Sequence, residues 1–597
     1  MSGFNQNTGF GFGNKGGTGG GGGGGCTLYI SGAGTCSTIR CGVGNTASGD
    51  YSSTLSGFYN QSCGQFSSVV SGSGNVAGGS NSFIGSGALN IATGCGSSVI
   101  SGGNNTSSGD YSFVGGGSGN TSSGYYGFVG SGYCNSNRGT HGFIGTGNCN
   151  TVNSDFAFIG TGLCNATTNC YATVVSGFCN TASGYASHIG SGRANVSSAA
   201  YTSVSGGQFN TASGGFSSIG GGGINTVSGC YSFIGGGRCN SNSADYAFLG
   251  GGFNNINTGF RSVVLGGCAN TSAVPYGFVG GGVVNVLQNG TCSDYSSYAV
   301  VVGGVGNNTT GGTWDATNKC FTVAPTPANA GCYSFIGNGL QNTVSGRYAF
   351  TGSGLCNTTS GYYAFTGSGF CNTTSSGRYA FTGSGVCNTT SGFHAFTGSG
   401  YSNTTSGRYA FVETGICNCA TGCFVSISAS KQAYGYLYGQ NAGASGQFSA
   451  VGDAQSSYAI ARREATLDAN GTATMSLDGT GTTNLLIPAG NNRGWNVFVD
   501  SVIICTVLGT GTSGGLAQGN IKTLTDSFFF KIVGGVASIS TIQSINSSND
   551  GGMNSASITF AVGGSNELAM TLVAPSTAGT ASTFRAVSNV RFVEVAF

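Results

Sequence analysis

Asparagine recurs at every fifteenth position along most of this chain, and this period constrains the fold more than any other feature. The first array runs from Asn45 to Asn285 in sixteen equal steps without a slip. A second array runs from Asn342 to Asn418 and contains one additional residue, in the turn at Thr373–Ser376. Such a period is the signature of a repeat architecture in which each unit stacks on its neighbours.

Each repeat has the parts of one β-solenoid coil, as the unit Asn120–Cys134 shows. Its Asn-Thr-Ser-Ser-Gly segment is typical of a turn, because Asn tolerates a left-handed φ and bonds its own backbone, and Gly adopts such a φ readily. A short alternating run follows this turn in each unit. In the preceding unit, Tyr111 and Phe113 fall on one face of this run and Ser112 and Val114 on the other. A Gly-Gly-Gly or Gly-Ser-Gly segment then turns the chain again.

The composition excludes several other classes of protein. The chain has 117 Gly without a Gly-X-Y period, which excludes collagen. Charged residues make up 6% of the chain, so Ser, Thr, Asn and backbone groups must supply the polar groups that hydrate the surface. The net charge of +2 and singly scattered Lys and Arg predict no basic stripe and no nucleic-acid partner. No apolar run approaches the roughly 18 residues that span a bilayer, which predicts no membrane insertion.

A narrow coil rich in glycine buries little apolar surface by itself. Both faces of the strand carry apolar or small residues, so one face is expected to line the coil and the other to meet a partner chain. Three chains around a common axis satisfy this requirement and hide exposed edges. The sequence therefore predicts an all-β fold, a 15-residue-repeat β-solenoid that forms a homotrimer.

Changes in composition predict six segments. The aliphatic strand position becomes threonine in the later array, as at Thr351 and Thr366, which predicts a more polar interior there. The last segment has longer strand runs with hairpin signals, which predict a β-sandwich or jelly roll. The segments are a Gly-rich flexible attachment segment at 1–25, the first repeat shaft at 26–285, an insertion at 286–331, a second repeat array at 332–430, a neck at 431–451 and the C-terminal β domain at 452–597.

The period and the Gly/Ser turns of residues 45–430 resemble the left-handed β-roll of trimeric-autotransporter-adhesin heads and the related rolls in phage fibres. This chain departs from that pattern by placing aromatic residues at strand positions, as in Tyr348-Ala349-Phe350. The resemblance implies a left-handed, trimeric roll.

The end of the chain is similar to the terminal β domain of many phage fibre proteins. In that family the domain typically caps a repetitive shaft, so the resemblance implies a fibre of a virus particle. The similarity is carried by Gly452–Tyr458, Arg462-Arg463, Leu477-Asp478-Gly479, Leu486-Ile487-Pro488 and Arg591–Val595.

The candidate site residues are structural. Cysteines that immediately precede the repeat Asn are expected to form a ladder of reduced, small apolar fillers, with disulfides or interchain links as the alternative. The three histidines occupy strand or aromatic positions of the repeat and predict no catalysis. The predicted ladder comprises Asn120, Asn135, Asn150, Asn165, Asn180, Cys134, Cys149, Cys164, Cys179, Tyr111, Phe113 and Val114.

No motif predicts catalysis, a cofactor or a metal. The sixteen acidic residues are too dispersed to pair within one motif as in glycosidases. No phosphate-binding GxxxxGK[ST] sequence is present, and the cluster at Cys417, Cys419 and Cys423 lacks the second pair of a zinc site. The chain is therefore predicted not to be an enzyme.

These observations favour a tail or capsid fibre that mediates attachment to a host surface. Met1–Cys26 has no export signal, which predicts assembly in the host cytoplasm and a final place on the virion surface. The N-terminal segment is expected to bind a baseplate or capsid, and loops of 286–331 and 452–597 to bind a host glycan or protein. A capsid-decorating or connector fibre, a bacterial surface adhesin and a glycan depolymerase remain the alternatives.

Overall fold

A computed structural model describes residues 30–40, 42–289, 298–318, 320–446, 454–478, 480, 493–563 and 567–596. These residues are all-β and contain no helix, so none of them forms an apolar helix of membrane-spanning length. The chain divides into two compact units, Met1–Ala194 and Asn195–Phe597. The predicted attachment segment 1–25 and the Leu486-Ile487-Pro488 motif lie outside the described residues.

The first unit is a β-solenoid in which each coil contributes two short strands. Each strand pairs in parallel with the equivalent strand of the next coil, as Phe113 does with Phe128 and Thr121 with Ser136. Ile30–Ser31 pairs antiparallel with the first coil. Series A comprises Thr38–Ile39, Ser53–Thr54, Ser68–Val69, Phe83–Ile84, Ser98–Val99, Phe113–Val114, Phe128–Val129, Phe143–Ile144, Phe158–Ile159, Thr173–Val174 and His188–Ile189. Series B comprises Thr46–Ala47, Gln61–Ser62, Val76–Ala77, Ile91–Ala92, Thr106–Ser107, Thr121–Ser122, Ser136–Asn137, Thr151–Val152, Ala166–Thr167 and Thr181–Ala182.

The second unit begins with coils of the same kind. Its series A comprises Ser203–Val204, Ser218–Ile219, Phe233–Ile234, Phe248–Leu249, Val263–Val264, Phe278–Val279, Val300–Val301, Phe335–Ile336, Phe350–Thr351, Phe365–Thr366, Phe381–Thr382, Phe396–Thr397, Phe411–Val412, Ser426–Ile427 and Asn441–Ala444. Its series B comprises Val196–Ser197, Thr211–Ala212, Thr226–Val227, Ser241–Asn242, Ile256–Asn257, Thr271–Ser272, Val286–Asn289, Asn329–Ala330, Thr343–Val344, Thr358–Thr359, Thr373–Thr374, Thr389–Thr390, Thr404–Thr405, Cys419–Ala420 and Tyr434–Gly435. Gly415–Ile416 and Ser430–Lys431 form a further parallel pair.

The predicted insertion interrupts the spacing but not the coil. Val300 pairs with Phe278 on one side and Phe335 on the other, so series A continues through it. Asn307 takes the place of the repeat Asn between Asn285 and Asn342. The remaining described residues of the insertion form two small antiparallel strand pairs, made of Thr309–Thr310 with Thr326–Pro327 and of Thr313–Asp315 with Cys320–Val323.

The coil interior of the later array is polar, as predicted from its threonines. Eight fully buried threonine hydroxyls form an unbroken chain of hydrogen bonds with oxygen–oxygen distances of 2.7 or 2.8 Å. Each hydroxyl can donate once and accept once, so every member of this threonine chain is satisfied. The members are Thr351, Thr359, Thr366, Thr374, Thr382, Thr390, Thr397 and Thr405.

Replacing Thr366 by Val should destabilise the second unit. The change keeps the side-chain volume but removes a hydrogen-bond partner from both Thr359 and Thr374. Thr359 and Thr374 each keep their other threonine partner. Two buried hydrogen bonds are lost, which together cost about 1–3 kcal/mol, and we expect a loss of that size in the free energy of unfolding from denaturant titration. Thr358→Val is the control, since Thr358 lies on the outer face of a neighbouring strand and should change stability by less than about 0.5 kcal/mol. Equal effects of the two variants would contradict a stabilising role for the chain.

The coils of the second unit lead into a C-terminal domain of nine strands. They are β1 Ala454–Leu467, β2 Thr472–Thr474, β3 Arg493–Val507, β4 Ile521–Val533, β5 Val536–Ile539, β6 Gln543–Asn549, β7 Ser557–Val562, β8 Leu568–Val573 and β9 Ser582–Ala596. Asn441–Ala444, in the last coil, pairs antiparallel with β1.

Two antiparallel sheets make up this domain. One has the order β1-β9-β3-β4, with β5 and β6 both paired to β4, and the other has the order β2-β8-β7. Trp495, Phe530 and Phe584 of the first sheet share one buried core with Met570 and Leu572 of the second. Two sheets across one core is the arrangement of a β-sandwich.

Candidate functional site

The repeat asparagines form a buried column inside the coils, where a column means the residues at one position of successive coils. The backbone N–H of Asn135 donates to Oδ1 of Asn120 at 3.0 Å. Its own Nδ2 donates to the carbonyls of Ser131 at 3.1 Å and Gly147 at 2.7 Å. The predicted members are all fully buried and so cannot contact a ligand, namely Asn120, Asn135, Asn150, Asn165 and Asn180.

The predicted turn geometry of these asparagines is wrong. The residue before the repeat Asn adopts the left-handed φ, as Cys134 does at 54°, whereas Asn135 does not. The Asn side chain instead points into the coil, where it forms hydrogen bonds with backbone groups of its own coil and of the neighbouring coils. The glycine of the Asn-Thr-x-Ser-Gly turn also has no positive φ; at Gly124 a Cβ would lie 2.0 Å from the carbonyl oxygen of Gly139. Glycine is required there by the close approach of the next coil.

The alternating strand places its two faces as predicted, and the structure shows which of them lines the coil. Val114 and Ser112 are buried in the interior. Tyr111 is exposed and Phe113 is half-buried on the outer surface. The aliphatic residue points inward because the interior is too narrow for a column of rings.

The outward rings stack along the coils in two aromatic columns. In the first unit, Tyr111, Tyr126, His141, Phe156 and Tyr171 follow one another at centroid distances of 5.0–5.2 Å. His141 thus occupies the aromatic position that the register predicts for it. Phe113 begins a second stack that continues with Phe128 at 5.1 Å. The rings cover one another's faces and present their edges to solvent.

The predicted cysteine ladder lies on the surface. Cys134, Cys149 and Cys164 are exposed, Cys179 is half-buried, and the four thiols are not bonded to one another. Partial burial, together with the adjacent thiols of Cys164 and Cys134, raises the pKa of Cys149. The thiolate is the nucleophilic form, so this shift makes the thiol less reactive at neutral pH. Their redox state in the assembled protein stays a prediction.

An apolar column lies beside the cysteine column and was not recognised from the sequence. Its members occupy the position two residues before the repeat Asn and join successive coils through single parallel bridges. Phe370, Tyr401 and Ile416 each expose about two-fifths to one-half of their surface. In the second unit this position holds Gln208, Gly223 and Arg238 in the first coils and Lys431 after Ile416. The apolar column is the stretch between them that comprises Val283, Val305, Leu340, Leu355, Phe370, Val386, Tyr401 and Ile416.

The hairpin of the insertion carries an aromatic pair. Trp314 and Phe321 pack edge to face with centroids 5.1 Å apart. Asp315 closes its turn by accepting hydrogen bonds from the backbone N–H groups of Asn318 and Thr317, which lowers the pKa of the carboxyl group. Trp314 is half-buried, and residues 316–318 of the turn are exposed.

The C-terminal domain contains a groove of about 740 Å³ beside β3, β4 and β5. Trp495, Phe529 and Ile539 supply apolar walls, and Lys531 places one cation at the rim. A groove with this lining suits an apolar or aromatic group that carries a negative charge.

A buried polar cluster lies where the last coils of the second unit meet the C-terminal domain. The Glu594 carboxylate is fully buried and pairs with the Arg493 guanidinium at 2.5 Å. The Gln455 side chain donates a hydrogen bond to the backbone carbonyl of Tyr434 at 2.8 Å. It accepts one from the backbone N–H of Tyr434 at 2.6 Å. Burial, with Glu594 nearby, raises the pKa of the Tyr436 hydroxyl well above its ordinary value. The contacts of Glu594 join residues too far apart in the chain to leave a local signal in sequence.

The described residues hold no group of three or more His, Cys, Asp or Glu side chains with the geometry of a metal site. Within the described ranges, the three ion pairs all lie in the C-terminal domain and are structural contacts between strands. Catalytic residues were not predicted, and the prediction that the chain is not an enzyme stays a prediction.

No protein-family model matches this sequence, and no curated protein matches it significantly. Among solved structures, the crystal structure of the Acinetobacter baumannii phage AM24 tailspike protein aligns over 94% of this chain and 77% of its own. The alignment has 10% sequence identity and a TM-score of 0.15. At this TM-score the likeness assigns no activity to this chain.

Proposed function

We propose that this chain is a homotrimeric virion fibre, on a tail or capsid, that attaches the particle to a host surface. The observation that carries the proposal is the succession, in the second unit, of parallel coils and a compact β domain paired to the last coil. A shaft of coils supplies reach, and a terminal domain supplies a binding surface. The sequence resemblance to phage fibres supports the same role.

The apolar column supports self-association. Eight successive apolar residues without a charge are an unusual surface for a monomer. The column next to the stacked tyrosines of the same coils contains arginines, which would repel one another across a symmetric contact. The apolar column, with the cysteines beside it, is therefore the surface that three copies of this chain would bury.

The oligomeric state tests this assembly. Light scattering of the full chain should give three times 58.9 kDa, and Phe370→Glu should give monomers because a carboxylate would be buried in the contact. Tyr363→Glu is the matched control: it introduces the same charge on another face and should leave the trimer intact. A monomeric parent protein, or a trimeric Phe370→Glu variant with an unchanged circular dichroism spectrum, would contradict the proposed contact.

In this proposal the Trp314 hairpin and the C-terminal groove bind the host surface. The N-terminal segment attaches the fibre to the baseplate or capsid. Many weak contacts on three chains would add up through avidity. Antibodies against residues 454–596 should block adsorption of particles that carry the chain, whereas antibodies against residues 42–194 should not. Unchanged adsorption with both antibodies would favour a decorating fibre. Shortened host polysaccharide after incubation would favour a depolymerase.

A further inference from the structure

Three arginines occupy one column of the second unit at every second coil. Arg347, Arg378 and Arg408 alternate there with Tyr362 and Phe393. The same alternation is visible in sequence as Ser-Gly-Arg-Tyr-Ala-Phe, which recurs in every second repeat. The expectation that basic residues form no stripe is therefore wrong for this array, because coils bring together residues about 30 positions apart.

Each guanidinium of this arginine column lies against an aromatic ring. Arg378 lies 5.0 Å from the Tyr362 ring centre, and Arg408 lies 4.8 Å from that of Phe393. Arg347 lies 5.2 Å from the Tyr348 ring centre. A guanidinium that is held close to a ring keeps further N–H groups that can donate to a carboxylate.

The spacing of the charges is regular. In the adjacent column, the rings of Tyr348, Tyr363 and Tyr379 follow one another at 4.8 and 5.2 Å. The backbone positions of successive arginines, two coils apart, therefore repeat at about 10 Å, twice the strand spacing. One disaccharide of an extended, β-linked polysaccharide has a similar length.

No carboxylate neutralises this column. Residues 333–446 contain a single acidic residue, Glu413. In the part of the chain that the structure describes, none of the three arginines is within ion-pair distance of a carboxylate. All three side chains are exposed, so a ligand can reach them. A second copy of the same array offers only Glu413 as a complementary charge for three arginines.

The rings beside the arginines disfavour nucleic acid. Proteins bind single strands by stacking bases on free aromatic faces. Here the planes of Tyr363, Tyr379 and His394 are within 18° of one another and each ring covers the next, at 5.2 and 4.6 Å. Only ring edges and hydroxyl groups remain, which suit sugar hydroxyls.

We infer that the arginine column binds an acidic polysaccharide that carries one carboxylate per disaccharide. Each guanidinium accepts one carboxylate along the extended glycan, and the tyrosine edges contact the intervening sugars. The site deepens the proposed attachment role and rests on it for the assignment of a surface polysaccharide. It lies on the coils and shares no residue with the hairpin or the groove.

Binding to purified hyaluronan oligosaccharides, which carry one carboxylate per disaccharide, tests the site independently of cells. The full chain should bind them at low ionic strength in calorimetry and should not bind neutral dextran. The variant Arg347→Gln/Arg378→Gln/Arg408→Gln should bind at least about tenfold more weakly, because three charge-assisted contacts are lost. The control Arg138→Gln/Arg238→Gln/Lys431→Gln removes as much charge elsewhere and should bind like the parent protein.

Three outcomes would overturn the inference. They are no hyaluronan binding by the parent protein, equal weakening by both variants, and single-stranded DNA binding as tight as that of hyaluronan. Circular dichroism and light scattering on both variants identify any loss that comes from misfolding. Host-cell adsorption tests the attachment role separately, so failure of that role with intact hyaluronan binding leaves the site in place.

Discussion

Replacing Gly237 by Ala should destabilise the second unit by about 2–5 kcal/mol, the combined cost of a left-handed residue and an overpacked contact. Gly237 adopts a φ of 80°, and a Cβ built on it would lie 2.1 Å from the carbonyl oxygen of Gly252. That oxygen belongs to the backbone of the next coil, which is held by ladder hydrogen bonds and cannot move aside. The midpoint of denaturant unfolding, followed by circular dichroism, measures the loss.

The adjacent residue supplies the control. Gly236 lies in the same Gly-Gly-Gly turn, has no positive φ, and a Cβ built on it would have nothing within 4 Å. Gly236→Ala should therefore leave stability unchanged or raise it by about 0.4–1 kcal/mol, since alanine restricts the unfolded chain. Similar losses in the two variants would show that the glycines act through something other than coil-to-coil contact.

Replacing Arg493 by Met should destabilise the C-terminal domain by about 3–5 kcal/mol, because it leaves the Glu594 carboxylate buried without its cation. Trp495, next to the pair in β3 and 1% exposed, reports unfolding of this domain through its fluorescence. The chain has two tryptophans, and the other, Trp314, lies in the insertion hairpin, so Trp314→Phe isolates the signal.

Two further variants separate the charge effect from packing. Arg585→Met breaks the exposed pair with Glu464 and should cost less than about 1 kcal/mol. The double variant Arg493→Met/Glu594→Met removes both charges and should recover most of the stability lost by the single variant. If the double variant were as unstable as Arg493→Met, loss of packing by the arginine stem would explain the result better than an unpaired carboxylate.

The strand register was predictable because it is local. A constant repeat length places every residue beneath its equivalent in the next coil, which predicts the position of His141; the stacking of Tyr111 on Tyr126 follows from the same register. The same step predicted a cysteine column and the polar interior of the threonine chain, but not that the cysteines lie at the surface. The place of Asn307 in the asparagine column was not predicted, because it follows Asn285 by 22 residues and not by 15.

The sequence by itself determined a coil of constant repeat length, two alternating faces and a β domain at its end, since period and alternation need no knowledge of distant contacts. Only the tertiary structure decided that Val114 and Asn120 point inward and that Cys134 takes the left-handed φ, because these depend on how tightly the coil closes. Likewise, only the tertiary structure shows that Arg493 pairs with Glu594 and that the three arginines lie in one column. Those contacts join residues far apart in the chain, and closure of the coils and sheets sets them.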